Sequence, residues 1–279
     1  MDEFTKNVRR SGGVDENTAT DIVGKTNDPL NLAEAFMATS DWEGLRKFCV
    51  GTKWDAFEYM RNALAARALR ELGQVQESSQ EWKEAVAKVG TRPEQIFGLA
   101  DLARKWGWQS EAVDLWWLAA KDPINAEKTL RMLYDFYASR RDTQELYRVL
   151  VHLEKVRPTD LSVRNNLAQI SLLLNLNPDQ AYRAAREVYE QEPKNPDYAA
   201  TYAFSLYLQG DLKKALQALA CFSEGELERP QIAAYYGVLL ANNGDFSRAA
   251  KFLDLGEKAD LLPEEKKLVE KAQLTVAQR

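Results

Sequence analysis

Two stretches of this chain are near-copies of each other, and their spacing restricts the fold more than any other feature. Tyr198 to Phe222 reads YAATYAFSLYLQGDLKKALQALACF, and Ile232 to Gly256 reads IAAYYGVLLANNGDFSRAAKFLDLG. Their turn glycines, Gly210 and Gly244, stand 34 residues apart, and an aspartate follows each, Asp211 and Asp245. Five residues past each glycine is an alanine (Ala215, Ala249), and seven before it is a small residue (Ala203, Gly237). Tyr202, Leu206 and Leu219, with Tyr236, Leu240 and Leu253 as equivalents, form an apolar stripe at helical spacing. The pattern predicts a helix, a tight turn and a second helix, with small residues where the paired helices touch. A fixed period of this size marks a helical repeat array.

The remaining chain registers on that unit. Asp28-Pro29 reads as an N-cap with proline in the first helical turn, and Ser40-Asp41 is the first repeat's turn. The second helix of that repeat contains Gly44, which weakens it. Later turns fall at Gly73 and Gly107, again 34 residues apart. From Gly107 to Gly210 is 103 residues, three periods plus one, so two repeats lie between, turning near Arg141-Asp142 and near Leu176-Asn177. Pro158 and Pro193 close their second helices, since proline cannot continue a helix. The count is seven repeats over about residues 26 to 263. Residues 1–27 are polar and lack a sustained period, and read as a flexible lead-in. The rest, 28–279, reads as one repeat domain in which 263–279 forms a capping helix with proline and acids in its first turn.

Composition narrows the function. The formal net charge of −5 and the absence of a clustered basic surface argue against nucleic acid, which needs Lys and Arg to neutralise phosphates. The sequence holds no apolar run long enough to cross a membrane, and its first thirty residues hold no secretory core. Its two cysteines, Cys49 and Cys221, lie in distant repeats, which favours a reducing, cytoplasmic setting. Ala19 to Thr26, ATDIVGKT, matches a relaxed phosphate-binding loop, but no strand precedes it and Ala19 replaces the first glycine. His152 is the only histidine and has no ligand cluster around it, so no catalytic, metal or cofactor residue is assigned. Trp82 and Trp116 occupy stripe offsets and read as core. Trp106, Trp108 and Trp117 lie off the stripe or beside a turn and read as candidates for exposed contact.

The period, the small residue in each helix, the turn glycine and the closing proline resemble the tetratricopeptide repeat family. The family's early first-helix tryptophan is replaced here by Asn62, Ile96, Leu130, Asn165, Ala199 and Ala233. The resemblance implies an all-α, right-handed superhelical solenoid whose first helices line a concave groove for a protein or peptide partner. Positions ten, nine, six and three before each turn project to that groove. One end would be charged: Arg67, Arg70, Phe97, Asp101, Arg104, Arg131 and Asp135. The other would be apolar and aromatic: Asn166, Ile170, Leu173, Thr201, Phe204, Tyr207, Tyr235 and Val238. Neighbouring repeats of a tightly wound superhelix would fill that aromatic end in the alternative reading. The Lys and Asn clamp for a terminal carboxylate is absent, because its places hold Phe97 with Asp101, Arg131 with Asp135, and Asn166 with Ile170. The functional expectation is a non-enzymatic scaffold that binds a peptide segment. A self-association arm using Trp117 and the convex face is the rival, and RNA binding would need a basic groove that is not present.

Overall fold

The computed structural model describes residues 29–278, and every regular element among them is a helix. The lead-in and the Ala19 to Thr26 segment fall outside the described residues. The chain divides into two compact units, one ending at Asp122 and the other beginning at Pro123.

The first unit contains three helix pairs: α1 (Pro29–Thr39) with α2 (Trp42–Gly51), α3 (Glu58–Glu71) with α4 (Val75–Val89), and α5 (Pro93–Lys105) with α6 (Gln109–Ala119). The second contains four pairs and one further long helix. The pairs are α7 (Ala126–Ser139) with α8 (Thr143–Val156), α9 (Leu161–Leu173) with α10 (Pro178–Gln191), α11 (Pro196–Leu208) with α12 (Leu212–Leu219), and α14 (Pro230–Asn242) with α15 (Phe246–Gly256). A short α13 (Glu224–Leu227) precedes the last pair, and α16 (Pro263–Ala277) follows it.

One turn recurs in all seven pairs. A residue one or two past the end of the first helix is left-handed: Ser40, Gly73, Gly107, Arg141, Asn175, Gly210 and Gly244 all have positive φ. The next amide then bonds back to a carbonyl five residues earlier, as in Asp211 to Leu206 at 2.9 Å and Asp245 to Leu240 at 3.0 Å. This closes the helix end by capping its orphan carbonyls. Where aspartate follows, it caps the second helix as well: Asp41, Asp142, Asp211 and Asp245 each accept an amide of the new first turn. Glycine suits the turn because a side chain costs energy there, yet Ser40, Arg141 and Asn175 adopt it too.

The fifth turn accounts for the extra residue in the sequence spacing. Asn175 and Asn177 are both left-handed, with φ of 53° and 47°, and α10 starts three residues after Asn175 where the other second helices start two after. The insertion therefore sits in the turn. The first helix keeps its register from Asn175, one residue earlier than the expected Leu176-Asn177.

Small residues set the helix separation. Ala203, Ala215, Ala249 and Ala100 are completely buried. A Cβ added to Gly237 would lie 2.9 Å from the backbone nitrogen of Leu253, and one on Gly256 would lie 2.6 Å from Cα of Ala234. The fourth pair breaks this pattern, with Tyr134 at the small first-helix position and buried Leu146 opposite it in offset. Gly44 also has a local reason: a Cβ there would meet the Asp41 carboxylate that caps α2. Ala200, which the offsets put away from the helix contact, is buried in the same cluster as Ala203.

Candidate functional site

In the first unit, the first-helix face is open on α5. Gly98, Asp101 and Arg104 are exposed and Phe97 is half-buried beside them. Asp101 and Arg104 approach to 3.7 Å, with more than half of each side chain in solvent, so the pair adds little stability. Its consequence is a mixed-charge surface beside one aromatic ring.

The corresponding arginines of α3 are engaged within the unit. Trp82, Trp106 and Trp108 contact one another edge to face, with ring centroids 5.1–6.5 Å apart. Arg70 lies over Trp108, its guanidinium carbon 3.5 Å from the ring centroid, and pairs with Glu111 at 2.6 Å. Arg67 lies 5.4–5.8 Å from Trp42, Trp106 and Trp108 and pairs with Glu71 at 2.9 Å. Cations over indole faces are stabilised by the ring quadrupole, more so when partly desolvated. Trp108 is therefore buried rather than an exposed contact; Trp106 and Trp117 are half-buried, and Trp82 and Trp116 are core.

In the second unit the first-helix face changes along the array. On α7, Arg131 and Asp135 are exposed. Arg131 reaches Glu127 at 3.1 Å and Asp160 at 3.3 Å, and the Ser162 hydroxyl, with nearby amides and Arg131, holds the Asp160 carboxyl below its usual range. Asn166 is half-buried and donates to the Tyr134 hydroxyl at 3.4 Å. From there on the face closes. Ile170, Thr201, Phe204, Tyr235 and Val238 are buried, while Leu173 and Tyr207 are half-buried. The aromatic groove expected from the sequence is thus filled from inside the unit.

Over Phe204 and Tyr235 the filling element is α16 together with its approach. Leu268 packs on the cluster of Leu172, Phe204 and Tyr235, with Tyr207 alongside. Val269 and Ala272 join the core that holds Leu240 and Leu253. Glu265 is the one buried carboxylate among the described residues. It accepts from the Tyr235 hydroxyl at 2.5 Å, from Nε2 of Gln169 at 3.0 Å and from the Leu262 amide at 2.8 Å. Gln169 also donates to the Tyr235 oxygen at 2.8 Å. Burial pushes the Glu265 carboxyl up, with Glu264 adding to the effect and the three donors opposing it. At the start of the helix, Thr143 donates to Glu264 and Arg141 pairs with Asp260, so the end of the unit returns to its first pair.

Gln169 has no place among the residues expected from the sequence. The register taken from Leu176 put Ile170 in the groove, whereas the register from Asn175 puts Gln169 there. Two asparagines flanking Leu176, both tolerant of the left-handed conformation, are the signal for that shift.

Helix pairs of 34-residue period, each closed by a left-handed turn, define an all-α repeat protein of the tetratricopeptide-like class. No family model matches the chain, and no curated protein matches it. Among solved structures it is similar to a tetratricopeptide repeat protein from Parabacteroides merdae, at 13% identity over 94% of this chain and 96% of that one, with a TM-score of 0.43. It is also similar to the tetratricopeptide domain of P58(IPK), at 13% identity over 94% of this chain and 69% of that one, with a TM-score of 0.31.

Proposed function

We propose that this chain is a non-enzymatic scaffold that binds segments of partner proteins on the faces of its first helices. The observation that carries this reading is the seating of α16, an amphipathic helix, against the first-helix side chains Phe204 and Tyr235. A surface that holds a helix of its own chain has the shape and chemistry to hold another. The faces on which no such helix sits supply the contact residues: Phe97, Asp101 and Arg104 on α5, and Arg131 and Asp135 on α7 with Asn166 beside them. Arg67 and Arg70 contribute by keeping the tryptophan cluster behind α3 rigid.

A photocrosslinking amino acid placed at Gly98 or at Asp135, and separately at Arg186 on the exposed side of α10, tests the proposal. The expected result is a discrete protein adduct from Gly98 or Asp135 and none from Arg186. Adducts from Arg186 alone would show that the second helices make the contact and would overturn the reading.

A further inference from the structure

We propose that α16 is a displaceable internal ligand, and that the surface beneath it binds a partner helix bearing a glutamate followed by an apolar pair three and four residues later and a small residue at seven. This rests on the scaffold reading above and names the partner for the closed part of the second unit. The pattern is that of Glu265, Leu268, Val269 and Ala272, the side chains with which α16 meets its site. The glutamate is the specificity element. Its pocket offers the donors Tyr235 and Gln169; Gln169 also reaches the Tyr235 oxygen, but the buried Tyr235 hydroxyl would lose its acceptor, which penalises a helix without a carboxylate or amide there.

Three observations make α16 displaceable. It buries only three of its side chains, Glu265, Val269 and Ala272, whereas α14 buries ten residues. One of the three is an acid, whose burial is costly. At its leading end the Asp260–Arg141 pair adds little, since the Asp260 side chain is 91% exposed. Beneath it lie Phe204 and Tyr235, their rings in contact at 4.9 Å between centroids, an apolar face of the kind that binds partners when uncovered.

The test uses the full chain and a fluorescent peptide spanning residues 260–278. In a Leu268→Ala, Val269→Ala variant the tethered helix competes less well, so the peptide should bind at least about tenfold tighter than it binds wild type. A peptide with lysine in place of the glutamate should not bind. Equal binding to both proteins, or no binding to a variant that keeps its helical circular dichroism, would overturn the proposal. Amide hydrogen exchange on wild type decides the matter if the variant unfolds. The proposal expects α16 to exchange ahead of α14 and α15 as a separate unit, and protection equal to theirs would overturn it. Adducts at Gly98 or Asp135 with no peptide binding would remove this inference and leave the scaffold reading standing.

Discussion

The Tyr235 hydroxyl in α14 donates to Oε1 of Glu265 in α16 across 2.5 Å, in a site closed to water. Removing that donor leaves a buried carboxylate one bond short, at a cost of about 1–3 kcal/mol. Tyr235→Phe should therefore lower the urea midpoint of the chain without changing its helical content. An unchanged midpoint would mean that the pair contributes nothing to the closed face.

Burial raises the Glu265 carboxyl above its usual range, so folding favours the protonated acid. Its contribution to stability is full below the ordinary carboxylate value of about 4.3 and is lost as pH rises through the raised folded value. Glu264 is the other ionisable group acting on it besides Tyr235, whose own hydroxyl burial pushes well up. Wild type should lose stability relative to Glu265→Gln as pH rises from 4 toward neutrality. Parallel stability curves for the two proteins would contradict this.

Ala203 is completely buried between paired helices, and Ala200 lies in the same cluster. Added methylenes force backbone shifts, so Ala203→Leu should cost about 1–3 kcal/mol, and Ala200→Leu should be costly as well. Gly98 offers the contrast. A Cβ there meets nothing within 4 Å, so Gly98→Ala should stabilise α5 by up to about 1 kcal/mol. Thermal melts of the three variants read both signs.

Arg70 is held by Trp108 and by Glu111. Arg70→Lys keeps the charge but loses the planar stacking, so it should restore only part of what Arg70→Ala removes, about 1–2 kcal/mol in total. Tryptophan emission should shift in both variants. Full recovery with lysine would reduce the contact to simple charge pairing.

The helix pairs were legible in the sequence because their turns need residues of restricted type. Gly73, Gly107, Gly210 and Gly244 mark four turns outright, and Asp142 marks another through its cap. The candidate site was less legible. Offsets from each turn assign a side chain to the first-helix face, and they did so for Phe204 and Tyr235, but they carry no information on what covers that face. The cover comes from α16, whose buried acid looked in the sequence like part of an ordinary first-turn pair, Glu264-Glu265. Its partner Gln169 was hidden by one inserted residue between Asn175 and Pro178. Trp106 and Trp108 were likewise read from position alone, while their surroundings depend on Arg67 and Arg70 from another pair.

Hydroxyl-radical footprinting of the unmodified chain tests the closed first-helix face of the second unit most directly. Phe57, which is 42% exposed, supplies the internal reference, against 2% for Phe204 and 6% for Tyr235. Phe204 and Tyr235 should stay unoxidised at doses that label Phe57. Oxidation of Phe204 and Tyr235 at the rate of Phe57 would show an open groove and contradict the closed face.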